Sequence, residues 1–178
     1  NMKKIIVALA VFIAGFSAEA QLKTPQSSPK TTIVQSVGLT DVEINYSRPS
    51  ARGRVVFGNL IPFGKVWRTG ANENTTVSFS DDVVIDGKTL KKGKYSLYTI
   101  PKIESWEIIF YKTTDNWGNP AEWKEENVAL RTTVKPETLN KKVETFTIGV
   151  SGLDNNFAIL EIYWENSYAA LKFEVPTQ

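Results

Sequence analysis

Arginine, aromatic and turn-forming residues crowd together between Tyr46 and Ser80, in the run YSRPSARGRVVFGNLIPFGKVWRTGANENTTVSFS. Four arginines stand in it: Arg48, Arg52, Arg54 and Arg68. A guanidinium is a rigid fork of donors that captures carboxylate, phosphate or sulfate two-handed, and it is a poor filler for an apolar core. Trp67, Phe57 and Phe63 add flat faces that suit a sugar ring or a stacked arginine. Thr69-Gly70-Ala71-Asn72-Glu73 reads as a loop whose backbone amides could form an anion-binding nest. Glu73 is the sole acid in the run, which makes it the one candidate there for a general acid or base. The candidate ligand-binding set is therefore Arg48, Arg54, Trp67, Arg68, Asn72 and Glu73.

The same residues allow a blander arrangement. Arg68 could pair with Glu73, and Arg48 or Arg54 with Glu43 or Asp41, so that the arginines only brace loops against the fold. Alternation bears on this: in the extended run Val66-Trp67-Arg68, an inward Trp67 sends Arg68 the other way, to solvent or a cleft.

The chain has no histidine and no cysteine. That excludes a Ser-His-Asp triad, a histidine metal site, a thiol nucleophile and an iron–sulfur cluster. No phosphate-binding glycine loop or dinucleotide fingerprint is present, and neither a cofactor nor a metal is expected. The Ser-x-x-Lys match at Ser27–Lys30 falls in a polar leader, and the sequons at Asn45 and Asn74 are short matches without support. Asp81, Asp82 and Asp86, and separately Asp154-Asn155-Asn156, lack the ligand rhythm of a calcium loop and read as turns.

Elements that must position these residues follow from period-two alternation. Val42-Ile44-Tyr46, Val77-Phe79, Val83-Ile85, Tyr95-Leu97, Trp106-Ile108-Phe110, Val128-Leu130 and Phe146-Ile148-Val150 each place apolar side chains on every second residue. Ala158-Leu160-Ile162-Trp164 and Ala169-Leu171-Phe173-Val175 do the same, and Glu165-Asn166-Ser167 between them reads as the loop of an antiparallel hairpin. Asp86-Gly87 and Lys92-Gly93 bracket a short connection, and Asp154-Asn155-Asn156 marks a hairpin loop. Asn119-Pro120 followed by Ala-Glu-Trp-Lys-Glu-Glu predicts one or two helical turns. Many short strands with regular turns predict an all-β antiparallel sandwich of about 8–10 strands, with jelly-roll connectivity as one arrangement, and one short helix.

At the start, Lys3-Lys4, an apolar stretch from Ile5 to Phe16 and the Ala18-x-Ala20 pair have the layout of a secretory signal peptide, with cleavage expected after Ala20. The apolar stretch is too short for a bilayer span. Residues 21–30 read as a flexible leader and residues 31–178 as a single domain. With 21 basic and 19 acidic residues there is no general field to recruit nucleic acid. A periplasmic or secreted location follows, with the oligomeric state open.

Several runs also carry a resemblance. Tyr46-Ser47-Arg48-Pro49-Ser50, Gly53-Arg54, Phe57-Gly58, Pro62-Phe63-Gly64 and Val66 through Glu73 resemble a family of exported bacterial proteins of Bacteroidetes type, catalogued as domain of unknown function 2911. Lys92 through Pro101, Trp106, Phe110, Trp117-Gly118 and Leu130-Arg131 fit it too, so the resemblance covers roughly residues 33 to 175. It implies an exported, β-rich, single-domain protein and assigns no catalytic residue. The expectation is a binding module for a small anionic or carbohydrate-like ligand. The alternatives are a cell-envelope hydrolase or lyase using Glu73, and a structural module in which the arginines brace loops.

Overall fold

The computed structural model describes residues 23–178; the expected signal segment and its cleavage site at Ala20 lie outside the described residues. Two antiparallel sheets pack face to face. The larger runs in the order β1 (Lys30–Val37), β2 (Thr40–Ser47), β3 (Thr76–Phe79), β6 (Gly93–Pro101), β7 (Trp106–Tyr111), β8 (Val128–Val134). The smaller runs β5 (Lys88–Leu90), β4 (Val83–Ile85), β10 (Phe157–Glu174), β9 (Glu137–Ser151). This is the all-β sandwich that the alternation predicts. Neighbours in the large sheet follow chain order once the β4–β5 hairpin has crossed to the other sheet, so the order is a meander and not the interleaved one of a jelly roll.

The alternating residues do what their spacing requires. Val42, Ile44, Val77, Leu97, Ile108 and Phe110 of the large sheet are buried against Ile148, Leu160, Ile162, Trp164, Leu171 and Phe173 of the small one. Each such side chain contributes about 1.5–3 kcal/mol by leaving water. A second, smaller cluster covers the outer face of β6 and β7: Tyr98, Ile109 and Tyr111 are buried there, and Trp123 stacks on Tyr111 at 4.6 Å. The segment between β7 and β8 forms this cover.

Three expectations are corrected. Glu165-Asn166-Ser167 is not a hairpin loop. β10 runs through it as one strand of 18 residues, with register shifts against β9 on either side of Glu165, whose φ is 53°. Residues that suit a turn also suit a bulge, because both need left-handed or unpaired backbone. β10 instead pairs antiparallel with β9, joined to it through Asp154-Asn155-Asn156, and with β4 on its other side. The connection between Asp86-Gly87 and Lys92-Gly93 is itself a strand, β5, paired with β4. The helix expected from Asn119 is absent at that place. A single turn of 3-10 helix forms later, at Glu125–Asn127. The Asn119 side chain donates to the Val66 carbonyl at 2.8 Å, so the group expected to cap a helix ties two loops together. Strand β1 had no counterpart in the sequence reading. It is an edge strand whose exposed face includes Val34, so its apolar residues do not alternate cleanly.

Candidate functional site: an arginine-lined cleft

The segment from Arg48 to Thr75 joins β2 to β3 and is much longer than the usual connection. It first crosses to the small sheet. The Ala51 N–H donates to the Glu144 carbonyl, the Phe146 N–H to the Pro49 carbonyl, and Ser50 bridges Thr145. It then returns to the large sheet, where Trp67 and Thr99 exchange backbone hydrogen bonds at 2.8 and 3.0 Å, taking the place beside β6 that β3 has vacated. Trp67 is thereby driven inward. It packs on Phe146 at 5.0 Å, lies nearly parallel to Trp164 at 6.1 Å and meets Phe57 and Trp106 edge-on. Its indole N–H donates to the Gly70 carbonyl.

With Trp67 fixed inward, Arg68 leaves the other side of the chain, as alternation requires. Its Nη1 donates to the Asn72 carbonyl at 2.8 Å. Between them the backbone is contorted: φ is 55° at Thr69, 154° at Gly70 and 59° at Asn72. A β-branched residue at positive φ is strained by about 1–3 kcal/mol and persists only where its surroundings hold it. Thr69 is fully buried. Its hydroxyl lies 3.1 Å from that of Thr99, and its carbonyl accepts from the Thr75 hydroxyl at 2.7 Å. The carbonyls of Thr69, Gly70 and Asn72 are thus all consumed by side-chain donors. The N–H groups of Gly70 and Ala71 donate to nothing among the described residues. Successive N–H groups left free in a loop are what an anion nest uses.

Gly70 and Ala71 border a cleft of about 390 Å³. Arg52, Arg54 and Arg68 line it together with Trp67, Trp164, Gly70 and Ala71. Ser27 and Ser28 close it from the chain segment ahead of β1, where the Asn72 amide donates to the Ser28 carbonyl at 3.4 Å. Arg54 is held by donating through Nε to the Ala51 carbonyl and through Nη2 to the Ser50 carbonyl, which leaves its other amine free. The Arg52 backbone N–H donates to the Glu144 carboxylate, while its guanidinium makes no hydrogen bond among the described residues. None of Arg48, Arg52, Arg54 and Arg68 forms an ion pair among the described residues; Arg131 is the arginine that does. Three guanidiniums therefore share one concave site whose lining includes no carboxylate and, among the described residues, none of them is in an ion pair.

The structure brings together Arg54, Trp67 and Arg68 and separates the rest of the candidate set. Arg48 faces the small sheet, donating through Nε to the Phe146 carbonyl and through Nη2 to the Thr147 hydroxyl. Asn72 serves the cleft indirectly, through its carbonyl on Arg68 and its amide on Ser28. Glu73 lines a different cleft, where it pairs with Lys30 at 3.1 Å and not with Arg68. The bracing pairs with Glu43 and Asp41 do not form either: those carboxylates accept from Asn45 and Ser36. Arg52, Trp164 and Ser28 are among the cleft residues outside the candidate set. Arg52 was legible in Arg52-Gly53-Arg54 but not separable from an ordinary surface arginine. Trp164 looks like any core residue of its strand, and nothing in Ser28 signals that the leader folds back.

Burial raises the Tyr98 phenol above its ordinary range, with hydrogen bonds from Asn116 and Ser96 and the nearby charge of Arg68 acting the other way. Tyr98 accepts from the Asn116 amide and donates to the Gly118 carbonyl, so the outer-face cluster is wired to the segment that flanks Arg68.

A two-sheet sandwich capped by a strained loop that presents arginines to a cleft is the class of protein this chain defines. Residues 28–173 match the family described as a protein of unknown function, DUF2911, and the chain belongs to that family. No curated protein and no solved structure matches it.

Proposed function

We propose that this protein is an exported binding module for a small anionic ligand, a carboxylate, phosphate or sulfate alone or on a carbohydrate-like body. The observation that carries this reading is the sharing of one cleft by Arg52, Arg54 and Arg68 with no acidic partner. Arg68 is half-buried and Arg52 and Arg54 are exposed; their guanidiniums keep strong, directional donors for an oxyanion, and the free Gly70 and Ala71 amides add two more. Trp67 and Trp164 add apolar lining to the same cleft. Export rests on the sequence of residues 3–20; no helix of the described residues is long and apolar enough to cross a membrane.

An acid–base role for Glu73 on the same ligand does not fit this geometry, since Glu73 and Arg68 line separate clefts. Bracing is a better description of Arg48, whose Nε and Nη2 donate to β9.

The test is a thermal-shift and calorimetric screen of organic acids, phosphorylated metabolites and sulfated sugars against the wild type, Arg54→Ala and Arg68→Ala. An anion should raise the melting temperature of wild type and lose that effect in both variants. Its affinity should fall as salt rises, because exposed charges are screened over about 10 Å at 0.1 M. Salt-independent binding, or full binding by both variants, would remove the arginines from the site.

A further inference from the structure

A second cleft, of about 500 Å³, shares no lining residue with the arginine cleft. It is built on the face of the large sheet that points away from the core. Its floor is Glu43 and Asn45 of β2 and Thr76 of β3, with Asn45 and Thr76 directly opposite each other in the ladder. Its wall is the segment Thr114–Trp117, docked by a backbone bridge between Glu73 and Trp117 and by the Asn74 N–H donating to the Asn116 carbonyl.

Two features set this cleft apart from an ordinary polar surface. Trp117 is 64% exposed, whereas Trp67, Trp106 and Trp164 are buried and Trp123 is half-buried. An indole ring held in solvent at the rim of a cleft, on a segment anchored by backbone hydrogen bonds, is a free apolar platform. The polar floor is also ordered before any ligand arrives. The Thr32 hydroxyl donates to Asn45 Oδ1 at 2.6 Å, and the Asn45 amide donates to Glu43 at 2.7 Å. Lys30 is taken up by Glu73. The Asn116 amide donates to Tyr98 and to the Gly118 carbonyl, and its Oδ1 is buried without a partner among the described residues. Such an orphan acceptor is uncommon and wants a hydroxyl or a bridging water.

The unspent capacity of the cleft is mostly acceptor capacity. Glu43, Glu73 and Asp115 supply three carboxylates against the two ammoniums of Lys30 and Lys94, so the charges nearly cancel and the small negative excess disfavours an anion. A ligand rich in hydroxyl donors, with an apolar ring face and no net charge, fits that balance. We infer that this second cleft binds a neutral saccharide, with Trp117 stacked on a sugar ring and the carboxylates of Glu43, Glu73 and Asp115 accepting its hydroxyl hydrogens. The inference stands independently of the arginine cleft.

The experiment titrates the full chain with millimolar neutral oligosaccharides of glucose, mannose, galactose and N-acetylglucosamine, followed by tryptophan emission and by calorimetry. Trp117→Ala, Trp117→Phe and Arg68→Ala are measured alongside, each first checked for native circular dichroism. At least one saccharide should shift the emission of wild type. Trp117→Ala should weaken its binding about tenfold or more, which corresponds to the loss of one stacking contact, about 1.4 kcal/mol. Trp117→Phe should restore part of the affinity, and Arg68→Ala should leave it unchanged. The inference is overturned by no response to any member of the panel, by binding that survives Trp117→Ala, or by binding that follows Arg68 instead. Tighter binding of glucosamine than of glucose would also overturn it, since that would make the cleft a cation site.

Discussion

A Cβ atom placed on Gly118 would stand 2.8 Å from Nη1 of Arg68. The segment between β7 and β8 thus leaves room for the guanidinium at the one residue type that has no side chain, and φ of 76° at Gly118 calls for glycine as well. Gly118 also accepts from Tyr98, so the position of Arg68 is coupled to the aromatic cover on β6 and β7.

Gly118→Ala should displace Arg68 and loosen anion binding although residue 118 does not line the cleft. The clashing atom is the far end of a flexible side chain, so steric relief is easy and the main stability loss is the left-handed backbone, about 1–2 kcal/mol. Calorimetry with whichever anion the wild type binds checks this; unchanged affinity would show that the guanidinium is held by Asn72 alone.

Arg48→Ala and Arg68→Ala should behave differently despite equal charge change. Arg48 joins the end of β2 to β9 through two hydrogen bonds, and its loss should lower stability by about 1–3 kcal/mol with anion binding intact. Arg68→Ala should abolish the anion response. Urea unfolding paired with ligand titration separates the two, and a binding defect in Arg48→Ala would contradict the division of roles.

Gly38 and Gly87 share positive φ, 55° and 71°, but differ in surroundings. A Cβ on Gly38 would lie 2.3 Å from the Asn155 carbonyl oxygen, a backbone atom that cannot swing away, while nothing lies within 4 Å at Gly87. Gly87→Ala should cost about 1 kcal/mol. Gly38→Ala should cost more, because the β1–β2 turn and the β9–β10 loop must separate. Equal melting temperatures for the two variants would refute the contact.

Alkaline pH should destabilise the fold through its tyrosines. Burial and hydrogen bonding to Glu161 push the Tyr168 phenol from 10.0 up to about 12, and burial raises Tyr46, Tyr95 and Tyr98 as well. A phenol whose folded value is raised ionises first in the unfolded chain. Its contribution is therefore complete below pH 10 and is lost as pH rises from 10 towards 12. Phenolate absorbance against pH, with Tyr168→Phe as comparison, should show one late-ionising group missing in the variant. An identical titration curve in both would exclude the raised value at Tyr168.

Much of the fold was legible in the sequence, and the failures have a common cause. Period-two alternation located the core strands because one face of each is buried, and burial leaves its mark on every second residue. Where that condition fails, the signal fails. β1 sits at an edge with Val34 in solvent, and the N-terminal half of β9 is largely exposed, so neither alternates. Glu165-Asn166-Ser167 carries the chemistry of a turn, yet long-range pairing with β9 turned it into a bulge. The predicted helix at Asn119 lost to tertiary contacts: Asn119 bonds to Val66, and Trp123 is drawn onto Tyr98 and Tyr111.

By itself the sequence determined the all-β class, the opposite facing of Trp67 and Arg68, and the exclusion of thiol and imidazole chemistry. Those follow from composition and from the two-residue repeat, which are local properties. The tertiary structure decided which arginines meet. Arg48 and Arg54 are six residues apart in a loop, yet one turns to β9 and the other to the cleft, because the chain crosses between sheets from Pro49 to Ala51. It likewise parted Glu73 from Arg68 and brought Ser28 and Trp164 to the same rim. Convergence of side chains from distant segments is set by how two sheets and a long loop close on one core, and no spacing along the chain encodes that closure.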